Sequence, residues 1–250
     1  MNILILGGTG EARELAGRLA GAGHRVITSL AGRTSAPLAS AGEMRVGGFG
    51  GAAGLATYLT AMRIDRLVDA THPYAATISR NAVAAATTAG VPLVRLIRPA
   101  WEPQPGERWT IMESVAEAAA APPRGARVLV TTGRGELAHL LQREDCQLLV
   151  RLIEPPATPL PAHARLILSR PPYRLDDELA LMRREAITHL VTKNSGGEQT
   201  RAKLDAARQA GVAVLMIARP AYGPALEACG IEDVVAALKL DQHHHRAPGG

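Results

Sequence analysis

The stretch ILILGGTGEAR, residues 3–13, decides the fold of this chain. A short apolar run of strand type ends in three glycines, and an amphipathic helical pattern follows directly. Backbone N–H groups at the positive end of such a helix can receive a pyrophosphate. We therefore predict a dinucleotide site in this turn, made of Gly7, Gly8, Thr9, Gly10, Glu11 and Ala12. A glycine-rich turn that holds no ligand is the alternative, because the spacing is not G-x-G-x-x-G.

Short strands alternate with helices along both halves of the chain, for example in RLVDATH and VAVLMIARP. Helices of about ten to fifteen residues between such strands predict parallel sheets. Residues 99–106 hold three prolines and a glycine, which is typical of a crossover. We predict an α/β fold of two Rossmann-like domains with parallel sheets, residues 1–112 and 113–240, and a disordered tail at 241–250. The first domain would bind the dinucleotide, and the second would form the substrate side of an interdomain cleft.

The distribution of charge favours a small anionic partner over nucleic acid. The 250 residues include 28 Lys and Arg against 23 Asp and Glu, a formal net charge of +5, and aromatic residues make up only 3%. The cations are spread along the chain, whereas a nucleic-acid surface clusters them and interleaves aromatic residues. We expect an anionic substrate and no nucleic-acid partner; an ordinary solvated surface explains the same surplus.

Cysteine usage and hydropathy indicate the compartment. Cys146 and Cys229 form neither a disulfide framework nor a metal-ligand spacing, so we predict no metal site. The start, MNILILGG, lacks the charged region of a signal peptide. No apolar run reaches the roughly 18 residues that a membrane span needs. These features indicate a cytoplasmic protein without a membrane partner.

The second strand predicts which dinucleotide binds. An NAD site usually places an acidic residue about 20 residues after the glycines, where it binds the ribose 2′-hydroxyl. VITSLAGRT has no acid there and offers Ser29 and Arg33. A guanidinium can pair with a 2′-phosphate that a carboxylate would repel, so NADPH is favoured over NADH. Arg33 as a solvated loop residue is the alternative.

The stretch VDATHPYA lies at the carboxyl end of the fourth strand, close to where a nicotinamide ring would lie. Its candidate residues are Thr71, His72, Pro73 and Tyr74. Pro73 fits just inside the start of the next helix and fixes the turn. His72 and Tyr74 could shape the nicotinamide pocket or donate a proton. An exposed loop histidine without a function is the alternative.

VLVTTGRGEL repeats the order of strand, glycine turn and helix in the second half. Thr132, Gly133 and Arg134 would lie at the helix N-terminus and bind a second anion, which we expect to be a substrate carboxylate. A helix cap and turn without a ligand is the alternative.

In TKNSGG, residues 192–197, a strand ends in a lysine, and a polar turn follows. Lys193 would face the cleft, where it could pair with a carboxylate or donate a proton, since lysine is rarely buried without a partner or a task. Asn194, Ser195 and Gly196 would line the same site, and the glycines let backbone amides approach a ligand closely. A lysine that points to solvent is the alternative.

Together and in this order, GGTGEAR, SLAGRT, VGGFGG, DATHPYA, TTGR and TKNSGG resemble the precorrin-6A reductase family of cobalamin biosynthesis. The resemblance runs over residues 1–240, and the ordered set is specific where no single motif is. It implies two Rossmann-like domains and NADPH-dependent reduction of one double bond of a contracted, methylated tetrapyrrole, which gives precorrin-6B. By this resemblance GGTGEAR and Arg33 would hold the dinucleotide, THPYA would lie by the nicotinamide, and TKNSGG would face the macrocycle.

The resemblance also implies roles and partners. Lys193, His72 and Tyr74 are the candidate catalytic residues, and the carboxylates of the substrate would meet Arg134, Lys193 and Arg201. No flavin or metal is required, and neighbouring corrin-pathway enzymes are candidate partners. Three alternatives stay open: the cobalt-containing analogue as substrate, another anionic substrate, and an NADP(H)-sensing protein without catalytic activity.

Overall fold

The computed structural model describes residues 1–31 and 40–240. Arg33 and the tail at 241–250, which the sequence predicts to be disordered, lie outside the described residues. The chain forms two compact units. The first comprises Met1–Arg98 and the segment from Pro220 onward, and the second comprises Pro99–Arg219.

The first unit is a parallel sheet with helices on its faces. Its strands are β1 (Asn2–Leu6), β2 (Arg25–Leu30), β3 (Glu43–Val46), β4 (Arg66–Asp69), β5 (Leu93–Leu96) and β12 (Leu226–Ala228). Its helices are α1 (Gly10–Gly21), α2 (Gly51–Ala61), α3 (Ala76–Ala89) and α8 (Ile231–Leu240). The strand order is β12-β5-β4-β1-β2-β3, so the carboxyl ends of β1 and β4 lie side by side.

The second unit is built in the same way. Its strands are β6 (Trp109–Met112), β7 (Arg127–Val130), β8 (Gln147–Leu152), β9 (Ala164–Leu168), β10 (His189–Lys193) and β11 (Ala213–Ile217). Its helices are α4 (Val115–Ala120), α5 (Leu137–Leu141), α6 (Leu175–Arg184) and α7 (Ala202–Ala210), with 3-10 turns at Arg134–Glu136 and Glu198–Thr200. The strand order is β6-β11-β10-β7-β8-β9, so β7 and β10 occupy the positions of β1 and β4.

The pairing of two edge strands, β6 and β12, corrects the domain boundaries. The sequence places residues 1–112 in the first domain and 113–240 in the second. In the structure β6 pairs with β11 in the second sheet, and β12 returns to pair with β5 in the first. Composition located the crossover near residue 99, but the sheet that a short edge strand joins depends on its pairing partner rather than on its own residues.

Aliphatic side chains build both cores. β1 is buried at four of its five residues, as expected for a central parallel strand that is covered on both faces. Leu15 of α1 packs in the cluster of Ile3 on one face of the first sheet, and Leu55 of α2 packs in the cluster of Leu4 on the other. Burial of each such leucine stabilises the fold by about 1.5–3 kcal/mol. The predicted α/β fold with two parallel sheets is confirmed. Among the helices of the described ranges, none has the length and apolar character to cross a membrane.

Candidate functional site

The glycine-rich turn after β1 leads into α1, and a side-chain cap fixes the start of that helix. The N–H of Gly7 donates to the carbonyl of Ser29 at 2.9 Å, which holds the turn against the end of β2. Thr9 is the N-cap: its Oγ1 accepts from the N–H of Ala12 at 3.0 Å and donates to the carbonyl of Ala70 at 2.9 Å. Thr9 therefore joins the first turn of α1 to the end of β4.

The space around this turn fits a pyrophosphate. Gly8 has a φ of +111°, which favours glycine, and a Cβ added there would meet nothing within 4 Å. A Cβ added at Gly10 would meet only Nη2 of Arg13, at 3.8 Å. Glu11 brings a negative charge to the first turn, but Arg98 pairs with it at 3.0 Å. A helix of 12 residues with an open, glycine-lined N-terminus can hold an anion.

At the end of β2, the structure adds a residue that the sequence analysis missed. Ser29 is buried, and its Oγ accepts a hydrogen bond from Nη1 of Arg45 at 3.0 Å. Arg45 lies on β3 directly beside Ser29. The signal that could have found it is an arginine two residues before the double glycine of RVGGFGG.

The loop after β4 is anchored by a buried ion pair. Asp69 and Arg95 are 2% and 3% exposed, and Nε of Arg95 lies 3.4 Å from Oδ2 of Asp69. The other carboxylate oxygen accepts from the N–H of Thr71 at 3.2 Å and from its Oγ1 at 2.7 Å. Asp69 and Arg95 therefore fix Thr71, one of the predicted cofactor residues, and sequence reasoning did not assign either of them a role.

The sequence analysis predicted that Pro73 lies just inside the start of the next helix, but the structure places it outside that helix. It is buried in a turn, and α3 begins three residues later, at Ala76. Its carbonyl accepts from Oη of Tyr222 at 2.5 Å, so the segment that returns to the first unit supports this turn. The carbonyl, which no helix uses, takes a tertiary partner instead.

His72 and Tyr74 flank this proline and lie near each other. His72 is exposed, and its Nδ1 accepts from the N–H of Tyr74 at 3.2 Å. The neutral imidazole then carries its proton on Nε2. The two ring centroids are 5.9 Å apart. Their predicted contact with a nicotinamide stays a prediction.

The turn after β7 does not repeat the helix N-terminus of the first unit. Residues 134–136 form a 3-10 turn, and α5 has only five residues and no side-chain cap. Thr132 and Gly133 therefore do not lie at the N-terminus of a long helix, and so short a helix has little dipole to offer an anion. Their predicted contact with substrate stays a prediction. Arg134 remains available as a side-chain cation. It pairs with Glu154 at 3.2 Å and donates to the carbonyl of Pro155 at 3.4 Å.

Lys193 ends β10, as the sequence predicts, and has an acidic partner there. Its Nζ lies 2.7 Å from Oε2 of Glu136, which belongs to the 3-10 turn after the neighbouring strand β7. The lysine side chain is 13% exposed and that of Glu136 is 41% exposed. The double glycine that follows has φ angles of +69° and +83° at Gly196 and Gly197, so both positions favour glycine.

Asn194 makes structural contacts that the sequence analysis did not foresee. Its Oδ1 accepts from the N–H of Trp101 at 2.7 Å, and its Nδ2 donates to the carbonyl of Trp101 at 2.9 Å. Its own carbonyl accepts from Nε of Arg219 at 2.7 Å. Trp101 and Arg219 lie beside the two positions where the chain crosses between the units. The predicted contact of Asn194 with substrate stays a prediction.

Arg201, predicted as a further cation for the substrate, has a structural partner. Its Nη2 lies 2.5 Å from Oε1 of Glu107, whose side chain is 1% exposed. Arg201 also stacks over the ring of Trp109, at 5.8 Å from its centroid. The guanidinium neutralises a buried carboxylate, so its removal would leave that charge uncompensated.

The structure thus gathers two sets of predicted residues at the carboxyl edges of the two sheets. The cofactor set is brought together within the first unit by the neighbouring ends of β2, β1 and β4: residues 7–12, Ser29, Thr71, His72, Pro73 and Tyr74. The substrate set follows the neighbouring strands β7 and β10 of the second unit: Thr132, Gly133, Arg134, Lys193, Asn194, Ser195 and Gly196.

Comparison with known proteins identifies similar proteins over nearly the whole chain. The model of a family described as "Precorrin-6x reductase CbiJ/CobK" matches residues 2–239. A "Precorrin-6A reductase" of Rhodococcus erythropolis is 50% identical over 238 residues, which cover 94% of this chain and 95% of that protein. A "Cobalt-precorrin-6A reductase" of Priestia megaterium is 29% identical over 252 residues, which cover 94% of this chain and 97% of that protein.

A solved structure, "CobK precorrin-6A reductase", has a TM-score of 0.90 and 42% sequence identity to this protein. The match covers 100% of this chain and 99% of that one. Family model, relative and structure all extend over both units. The chain therefore belongs to the precorrin-6x reductase family CbiJ/CobK.

Proposed function

We propose that this protein uses NADPH to reduce one double bond of precorrin-6A, which gives precorrin-6B. Membership of a reductase family supports the reaction. The metal-free substrate is favoured over the cobalt-containing one because the relative named precorrin-6A reductase is 50% identical, against 29% for the cobalt-precorrin-6A reductase. The observation that carries the cofactor assignment is the open, glycine-lined N-terminus of α1.

The first unit would bind and orient the dinucleotide. The N-terminus of α1 would hold the pyrophosphate, and Ser29 and Arg33 would lie by the adenosine ribose. Thr71, His72 and Pro73 follow β4, the strand next to β1, where the nicotinamide would lie. The buried pair of Asp69 and Arg95 supports this loop from behind. When bound, NADPH supplies the hydride, and the protein supplies position and electrostatics.

The second unit would bind the tetrapyrrole through its peripheral carboxylates. Arg134 and Lys193 are its candidate cations, and each has an acidic partner within 3.2 Å. Hydride transfer requires the donor and acceptor carbons to approach to about 3–3.5 Å. The carbon beside the hydride acceptor must also gain a proton. Lys193, His72 and Tyr74 are the candidate donors.

A direct assay tests this proposal. Purified protein is mixed with precorrin-6A and NADPH, and the absorbance of the tetrapyrrole and of NADPH is followed. We expect both to change together, more slowly with NADH and more slowly with the cobalt-containing substrate. NADPH binding in titration calorimetry without any turnover would instead identify an NADP(H) sensor. We further infer a cytoplasmic location, because a water-soluble polycarboxylate and NADPH must both reach the enzyme.

A further inference from the structure

One cation of the first unit lies where a Rossmann-type sheet holds the adenosine ribose of its dinucleotide, at the carboxyl end of the second strand. Arg45 on β3 pairs in register with Ser29 on β2. Its Nη1 donates to Oγ of Ser29 at 3.0 Å. The guanidinium thus lies beside the β2 residue that the sequence assigns to the cofactor, independently of Arg33.

Arg45 is held in one orientation by several groups at once. Nη1 also donates to the carbonyl of Gly47 at 2.9 Å, and Nη2 donates to the carbonyl of Gly48 at 3.1 Å. The guanidinium lies 3.9 Å from the ring centroid of Phe49. A planar cation that is stacked and hydrogen-bonded in this way has lost most of its side-chain freedom before any ligand arrives.

The charge of Arg45 has no acidic partner in the described part of the chain. Its contacts there are neutral oxygens and aromatic rings. Arg25, at the other end of the same strand pair, differs because Glu43 pairs with it at 2.7 Å. Residues 32–39, which follow β2, contain no Asp or Glu. A rigid guanidinium without an acidic partner among the described residues suits an anionic group of a ligand.

We propose that Arg45 recognises the 2′-phosphate of NADPH and is a specificity-determining residue for the cofactor, with Ser29 and Phe49 as its positioning residues. The proposal rests on NADPH being the cofactor. The contacts with Ser29, Gly47 and Gly48 use three of the five N–H groups of Arg45. The remaining two, on Nε and Nη2, belong to neighbouring nitrogens and can reach two phosphate oxygens.

Two nucleotide probes separate this role from a structural one without any turnover. Adenosine 2′,5′-bisphosphate carries the 2′-phosphate, and adenosine 5′-monophosphate lacks it. Titration calorimetry of the wild type should show tighter binding of the bisphosphate. Arg45→Met should weaken the bisphosphate by roughly 10- to 100-fold and leave the monophosphate within about 2-fold, since a charge-assisted fork is lost while the apolar stem remains.

Two control variants complete the experiment. Arg45→Lys keeps the charge without the fork and should recover part of the lost affinity. Arg25→Met removes a cation from the same strand pair and should bind both probes like the wild type. Equal loss of both probes in Arg45→Met and in Arg45→Lys would mean that Arg45 only shapes the Gly47–Gly48 turn, and discrimination kept in both variants would also overturn the proposal. A wild type that binds both probes equally would instead contradict NADPH as the cofactor.

Discussion

The two sheets share one strand order, yet the turns that follow their equivalent central strands are built differently. After β1, a threonine cap and glycines open the N-terminus of α1, a helix of 12 residues. After β7, a 3-10 turn leads into α5, which has five residues. The first edge can offer backbone N–H groups to an anion, whereas the second offers side-chain cations that already have acidic partners. The strand order therefore sets where polar residues can gather, and the helix cap sets whether backbone N–H groups or side chains face a ligand there.

The buried charges of the two units differ as well. The first sheet buries a matched pair, Asp69 and Arg95. The second buries the pair of Arg151 and Glu178, joined by two hydrogen bonds of 2.9 and 2.8 Å, and a third charged residue close to it, Lys203. Lys203 lies 5.2 Å from the ring centroid of Trp101. The second unit therefore carries a buried lysine beyond its matched pair, and no lysine is buried among the residues of the first unit whose burial the structure describes.

The largest effect should come from substitution of Lys193. It should change the reaction of the substrate, which is assigned to the second unit, and leave binding of the cofactor to the first unit intact. If Lys193 donates the proton, Lys193→Ala should lower kcat by roughly 10²–10⁴-fold with a smaller change in KM. If it only binds a carboxylate, KM should rise and kcat should stay nearly constant. Steady-state kinetics with precorrin-6A distinguishes the two roles.

NADPH affinity serves as the control for Lys193→Ala, because the dinucleotide is assigned to the other unit and its binding should survive. Lys193→Arg should rescue substrate binding better than catalysis, since a guanidinium keeps its proton. Turnover of Lys193→Ala at the wild-type rate and KM would place this lysine on the solvated surface.

The buried Lys203 of the second unit predicts that the free energy of unfolding depends on pH. Burial, and then the nearby charge of Arg151, lowers the pKa of Lys203 from 10.5 to about 7. The unfolded chain therefore binds more protons than the folded one between these values, and the free energy of unfolding falls as the pH falls through this window. Below about pH 7 both states are protonated and the loss is complete. Lys203→Met should remove this pH-dependent loss. Relative to the wild type, the free energy of unfolding of the variant should therefore rise by roughly 3–5 kcal/mol as the pH falls from 10.5 to 7.

Urea denaturation of wild type and variant at a series of pH values measures this difference. Arg208→Met, on the exposed side of the same helix α7, is the matched control and should follow the wild type at every pH. A stability difference between Lys203→Met and the wild type that does not change with pH would show that Lys203 stays charged in the folded protein.

The glycine turn tests the cofactor edge. Gly10→Val places a side chain into open space at the start of α1, where an added Cβ meets only Arg13, so folding should persist. The side chain would occupy the space of the pyrophosphate, and NADPH affinity should fall by about 100-fold or more, the loss of two or more charge-assisted hydrogen bonds. Titration calorimetry measures the affinity, and circular dichroism verifies the fold.

Gly135→Val is the matched change in the second unit. A Cβ added at Gly135 would meet nothing within 4 Å, and this glycine lies in the 3-10 turn after β7. NADPH should bind this variant like the wild type. If Gly10→Val kept its affinity and Gly135→Val lost it, the assignment of the two edges would have to be exchanged.

The sequence predicted what depends on local pattern. Apolar periodicity and glycines located β1, the turn and α1, and the change from apolar to polar residues located Thr71 and Lys193 near the strand ends. It did not predict contacts that arise only when strands are paired. Arg45 reaches Ser29 because β2 and β3 are in register, and Asn194 binds Trp101 across 93 positions of sequence. Fold class is a property of periodicity, whereas the partners of a polar side chain depend on the tertiary arrangement.

The turn after β7 differs from the predicted helix N-terminus for a related reason. VLVTTGRGEL has the same order of apolar run, glycine and helical residues as ILILGGTGEAR. The first turn has Thr9 as a cap, whereas Gly133 stands at the corresponding place before Arg134 and has no side chain to accept from the helix N–H groups. The turn then closes as a 3-10 turn, which is common where a helix lacks such a cap.

The smallest predicted effect concerns the acid that pairs with Lys193, and it has an unusual sign. Oε2 of Glu136 lies 2.7 Å from the ammonium, in the position that a substrate carboxylate would take. Glu136 competes with a substrate carboxylate for this ammonium, so Glu136→Gln should lower KM for the tetrapyrrole. A surface ion pair contributes about 0.2–1 kcal/mol, and for this partly exposed pair that range corresponds to a change of roughly 1.5- to 5-fold in KM.

Glu144→Gln is the control for that gain, because it removes an exposed charge of the same unit that lies away from the strand ends. It should leave KM unchanged at 0.15 M salt, where exposed charges separated by more than about 8 Å are screened. A lower KM in both variants would show that net charge alone attracts the substrate. A fall in kcat of Glu136→Gln would show instead that Glu136 orients Lys193 for proton transfer, and the acid at the second edge would then take part in positioning, as Asp69 does for Thr71 at the first.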